Sequence, residues 1–294
     1  MCINEDSAKI FLEINLSISQ VLRKTPKSSK KFNLRIIRLG IPLELTYFEI
    51  IVLIATGLLA GSINTIAGGG SNLSLPILMF LGLPADIANG TNRVAVMLQC
   101  IVGLRGYDEH GALHRAAIFP ILVPTCLGGL IGAMLSIAIP NLYLKPILLL
   151  LIFVMAVTVL FRPDIMAPEL GSITKNPNKT PKAWFSLFLA GVYGGFAQAG
   201  VGFILLAALT VGLKYDLIRA NALKTLCALA FTSIALCIFI AFGMVSWIPG
   251  LILGTGSMVG AHFTVRQAVM AKPSTVRWAL FGITSAAVAV GLLF

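Results

Sequence analysis

Acidic side chains are scarce in this chain. Asp and Glu number 11 in 294 residues, against 22 Lys and Arg, and all charged residues together make up 11%. That is less than half the ~25% usual in soluble domains. Hydrophobic residues account for 57% and the mean hydropathy is +0.94. So little polar surface cannot cover a water-soluble fold of this size. Uncharged runs at 50–85 and 183–213 exceed the ~20 residues that cross a bilayer. Short alternating strands, the mark of a membrane barrel, are missing. The composition therefore predicts an all-α polytopic membrane protein.

Catalytic and metal-binding patterns are missing too. The three His and five Cys include no HExxH and no CxxC, and no serine stands in a nucleophile motif. His110 and His114 are four apart, but Gly111 intervenes and no third ligand follows, so a solvated loop is the better reading. His262 and the cysteines of the apolar runs (Cys100, Cys126, Cys227 and Cys237) read as packing residues. GGGSNLS at 68–74 lacks the lysine of a phosphate-binding loop, so nothing in the chain suggests an ATP-driven machine. An enzyme is not expected, nor a cofactor, nor a metal. The apolar runs hold almost no carboxylates. Asp86 and Asp216 sit at block ends, which leaves no visible proton relay.

Basic residues are concentrated at the start. Seven, with no acid among them, lie within 23–38: Arg23, Lys24, Lys27, Lys30, Lys31, Arg35 and Arg38. Phe32 is the one aromatic among them, too few for a base-stacking platform, so nucleic acid is not the expected partner. The run reads as a topogenic signal that keeps the N-terminus cytoplasmic, in an inner or plasma membrane. A cleaved signal peptide is not expected, because the apolar run is too long and no small-x-small site follows it.

Beyond this basic leader, 1–46, the chain repeats itself. Residues 60–86 read AGSINTIAGGGSNLSLPILMFLGLPAD, and residues 190–216 read AGVYGGFAQAGVGFILLAALTVGLKYD. Eight of the 27 aligned positions are identical, among them Gly61/Gly191, Gly70/Gly200, Gly82/Gly212 and Asp86/Asp216. The apolar blocks on either side match in order and length. A first repeat at 47–161 and a second at 183–294 are therefore expected, with about four spans each and the first segment of each half broken by glycine. The polar linker 162–182, which holds Pro163, Pro168, Pro177 and Pro181, separates them. The first block of each half is longer than one span needs. It is either a bent span or a span followed by a re-entrant half-helix. Gly128-x3-Gly132 and Gly256-x3-Gly260 predict close helix packing.

Paired breaks of this kind point to a transporter's binding site. In the first, Asn64 precedes Gly68, Gly69 and Gly70, and a helix restarting at Ser71 or Asn72 would find a good N-cap in either residue. Its free N–H groups and positive dipole end would suit an anion. The second break keeps Gly200, places Gln198 and Ala199 where the first has Gly68 and Gly69, and continues to Gly202. Gln198 would bond either a ligand or a neighbouring helix. Polar helix starts follow each break: Thr91, Asn92 and Arg93 in the first half, Asn221 and Lys224 in the second. The two cations would either snorkel to headgroups or turn inward and attract an anion.

The segment INTIAGGGSNLSLPILMFLGLPADIANGTNRVAVML closely resembles the first repeat of the TauE/SafE, or sulfite exporter, family. GVYGGFAQAGVGF followed by RANALKTL is similar to the second repeat. The resemblance runs from about residue 48 to 294. It implies a helical transporter of sulfite, sulfonates or other small organic anions, built from two related halves, with the bilayer and a small anionic substrate as partners. A homo-oligomer stays open. The second break departs from the glycine- and proline-rich form of many members, having no proline to match Pro76, and this leaves the particular anion open.

Overall fold

The computed structural model describes residues 45–66, 68–161, 174–175, 177 and 180–268. Most of the basic leader, most of the linker and the final apolar block at 274–294 lie outside the described residues. Those described fall within one unit, 42–294, and contain helices and no strand.

The first apolar block divides into two helices, α1 (Tyr47–Ile66) and α2 (Ser71–Phe80). At 1.5 Å per residue, twenty residues match a ~30 Å hydrocarbon core and ten reach half of it. The long polar-headed helix α3 (Ala85–Glu109) follows, then α4 (Ile118–Ala138) and α5 (Asn141–Phe161). Next come α6 (Pro181–Phe196) and the short α7 (Val201–Ala207), which runs into a π-helical turn at Ala208–Gly212. Helices α8 (Leu217–Ala241) and α9 (Trp247–Ala268) follow. Among the described residues, four stretches are long and apolar enough to cross a membrane: Tyr47–Ile66, Arg115–Ala138, Leu217–Ala241 and Trp247–Val265.

Helix α1 is apolar outside and mostly small or polar inside, with Leu53 its one large buried residue. Tyr47, Phe48, Ile51, Ile54, Leu58 and Leu59 of α1 are exposed, whereas Thr56, Gly57, Ala60, Gly61 and Thr65 are buried. Lipid rewards apolar surface no less than a neighbouring helix does, so small residues are kept for the interfaces. Two crossings show this. Gly57 and Gly61 of α1 meet the backbone of Leu253 and Ser257 in α9, and Gly256 and Gly260 of α9 meet the backbone of Ile54 and Leu58 in α1. Likewise Gly128 and Gly132 of α4 lie on Phe188 and Val192 of α6, and Gly191 and Gly195 of α6 lie on Thr125 and Gly129 of α4. A Cβ at any of these eight glycines would fall on backbone, which cannot rotate aside. Helices α3 and α8 pack on each other between these pairs.

His262 departs from the expected packing role. It lies on the exposed face of α9, edge-on to the Phe263 ring at a centroid distance of 5.5 Å. The inner face of α9 is taken by its glycines and by Ser257, Ala261 and Val265.

Candidate functional site

The two interruptions meet. Gly68 and Gly200 have φ of +86° and +70°, conformations that glycine adopts without strain, and Gln198 shares the left-handed region at +61°. Gly202 N–H donates to the Gly68 carbonyl at 3.2 Å, and the two Cα atoms are in contact. A Cβ on either glycine would strike the other residue's backbone. Gly70 is equally confined, against the Ala60 carbonyl.

Helix α2 begins at Ser71 with Gly70 in the cap position and no side-chain cap. The expected N-capping by Ser71 or Asn72 is therefore replaced by other bonds. Asn92 of α3 donates its Nδ2 to Ser71 Oγ at 3.0 Å and accepts from Ser74 Oγ, which pins the first turn of α2 to α3. Asn72 Oδ1 is buried without a partner, close to Gly200.

Both head-group cations turn inward. Arg93 is fully buried. Its guanidinium donates to the carbonyls of Gly194 (3.2 Å), Gly195 and Phe196 (3.4 Å), and its Cζ stands 4.8 Å from the centroid of the Phe239 ring. Asn89, one turn earlier, donates to the Phe196 carbonyl at 2.7 Å. Arg93 thus covers the carbonyls left open at the C-terminus of α6, the negative end of that helix. Lys224 does the same for α1. Its Nζ donates to the carbonyls of Asn64 (3.0 Å) and Thr65 (3.1 Å) and to Asn221 Oδ1 (2.7 Å). Each cation caps the broken helix that lies far from it in sequence. A bare cation at the centre of a membrane helix costs roughly 2.5–3.5 kcal/mol, and carbonyl partners of this kind offset such a cost.

A cavity opens beside Lys224. Its polar lining is Asn64, Thr65, Ser71, Gln99, Gln198, Lys224 and Thr225, and its remaining wall is Val96, Cys100, Val201, Gly202 and Ala228. No Asp or Glu lines it. The space open to the centre of a water molecule is about 20 Å³, room for one or two waters. Ser71 Oγ accepts from Asn92 and leaves its own proton uncommitted. Gln198 donates Nε2 to Thr232 Oγ1 at 2.7 Å, and its Oε1 is buried without a partner. The cavity thus offers an ammonium, a free hydroxyl proton and an uncommitted amide end.

Of the residues anticipated from sequence, Asn64, Ser71, Gln198, Gly202 and Lys224 line this cavity. Asn221 holds Lys224 from behind. Gly68, Gly69, Gly70, Gly200, Asn72 and Asn92 shape or brace the breaks without lining it. Arg93 lies at the end of α6. Thr91 faces the start of α9, where its Oγ1 accepts from Ser246 N–H at 2.9 Å. Thr65, Gln99 and Thr225 were missed. Gln99 lies seven residues after Asn92 on the buried face of α3, and Thr225 lies one turn after Asn221 on α8, so helical spacing could have found both. Among the described residues, no group of three His, Cys, Asp or Glu could hold a metal.

The family model for Sulfite exporter TauE/SafE matches residues 53–292. A probable membrane transporter protein, ORF9, of Sinorhizobium sp is 28% identical over 85% of this chain and 94% of its own length. One from Haemophilus influenzae is 27% identical over 76% of this chain and 87% of its own. The probable membrane transporter protein YfcA of Escherichia coli K12 is 26% identical over 83% and 89%. No solved structure matches.

Proposed function

Because the chain belongs to the Sulfite exporter TauE/SafE family, a family of multi-pass membrane transporters, we propose that it carries small sulfur-containing anions such as sulfite or sulfonates out of the cell. The observation that carries this reading is the cavity where the two breaks meet, lined by Lys224 and by no carboxylate. Ser71 Oγ and the Gln198 amide would take the place of water around the anion, and Lys224 would offset its charge. Arg93 contributes indirectly, by holding the end of α6 in place.

Two repeats, 47–161 and 183–294, build this site. Their interlocking supports the reading. Helix α1 packs on α9 as α6 packs on α4, and Lys224 caps α1 as Arg93 caps α6. Rocking of one pair against the other would expose the cavity to each side in turn. The small volume corresponds to an occluded state that must widen to take an anion. The N-terminus lies in the cytoplasm and the chain resides in the inner or plasma membrane.

Purified protein in liposomes, assayed for flux of sulfite, sulfoacetate, taurine and sulfate with and without a pH gradient, tests the reading. Saturable flux of at least one sulfur oxyanion or sulfonate is expected. No flux of any of the four, in correctly inserted protein, would overturn it.

A further inference from the structure

Lys224 has three N–H bonds and three acceptors: the carbonyls of Asn64 and Thr65, and Asn221 Oδ1. An ammonium has no fourth donor, so an anion can reach it directly only if one acceptor is released. The three are not equally easy to release. The Asn64 carbonyl would normally bond the N–H of residue 68, but Gly68 N–H bonds Ile63 instead. Releasing Asn64 therefore leaves a half-buried carbonyl with no second donor among the described residues. The Thr65 carbonyl has a second donor: Tyr107 Oη–H of α3, at 3.0 Å. Tyr107 is 1% exposed, lies outside the cavity lining and, among the described residues, makes this one side-chain hydrogen bond.

Resting on the transport reading above, we propose that Tyr107 is a positioning residue for the substrate. It holds the Thr65 carbonyl while Lys224 swings from that carbonyl to the anion, so that binding leaves no buried acceptor unpaired. The arrangement is one-sided. Arg93 meets its acceptors away from the cavity and has no exchange to make, so the end of α1, and not that of α6, loosens when the anion enters.

The test is sulfite transport in proteoliposomes of the full chain. Tyr107→Phe keeps the ring and removes the donor. It should raise KM for sulfite about tenfold, the cost of one unpaired buried carbonyl, with Vmax changed less than about twofold. Lys224→Arg supplies five N–H groups and so need release nothing. In that background Tyr107→Phe should leave KM unchanged. An unchanged KM in Tyr107→Phe, a fall confined to Vmax, or an equal loss in the Lys224→Arg background would overturn the inference and leave the transport reading standing. Absence of wild-type flux for every anion of the panel would remove both. If Lys224→Arg does not fold, amide exchange over residues 61–72 decides. Faster exchange on adding sulfite supports the swing, and unchanged exchange in a wild type that transports sulfite contradicts it.

Discussion

Gly68→Ala should disable the contact on which the site is built. The alanine would have to hold φ near +86°, a strain of roughly 1–2 kcal/mol. Its Cβ would strike the Gly202 Cα and lie 2.8 Å from the Gly202 carbonyl carbon. Backbone cannot rotate away, so overpacking adds roughly 1–3 kcal/mol. Parting the breaks also loses the bond from Gly202 N–H to the Gly68 carbonyl, about 1 kcal/mol. Gly82 supplies the internal reference. It has φ of +91° and nothing within 4 Å of an added Cβ, so Gly82→Ala carries the backbone strain alone. The difference between the two variants isolates the break-to-break contact at roughly 2–4 kcal/mol. Thermal unfolding in detergent reads it: Gly82→Ala should melt a few degrees below wild type and Gly68→Ala roughly three times further down. Sulfite flux should survive the first substitution and fail in the second. Equal melting shifts for the two variants, with flux retained in both, would refute the reasoning.

Two other substitutions separate structural from ligand-facing roles. Arg93→Met orphans the carbonyls of Gly194 and Gly195 and should cost about 3 kcal/mol, while Arg93→Lys, with a compact ammonium in place of the fork, should cost about half of that. Melting curves check both, and KM for sulfite in the Lys variant should stay at the wild-type value. Gln198→Gly relieves the strain at φ +61°, roughly 1 kcal/mol, but gives up the Thr232 bond, worth about as much. Stability should hardly move while flux falls, and a melting shift with full flux would contradict the ligand-facing role.

Much of this was legible in the sequence because glycine and charge are expensive where they stand. Three consecutive glycines cannot continue a helix cheaply, and α1 ends at Ile66 before them. A cation inside an apolar run must find partners, and both cations did. Gly128-x3-Gly132 and Gly256-x3-Gly260 marked two helix crossings, and the structure adds Gly191-x3-Gly195 and Gly57-x3-Gly61 as their partners. The pairing itself was not legible. Internal similarity says which segments are alike, not which ones touch, so nothing in the order of residues told that Arg93 would cap α6 or Lys224 would cap α1. For the same reason the head of an apolar helix left Arg93 open between the headgroups and an anion. Arg93 became a helix cap because the carbonyls of Gly194–Phe196 stand where its side chain arrives. Thr65 was hidden by composition, since a threonine in an apolar helix usually just bonds its own backbone, as this one does.

In the proposed mechanism the cavity between the two breaks holds the anion on Lys224. Calorimetric titration of sulfite into purified wild-type protein and into folded Lys224→Gln tests it most directly. Saturable binding in the wild type, weakened at least about tenfold in the variant by the loss of a charged hydrogen bond, is the predicted result. Equal affinity in the two proteins would contradict it.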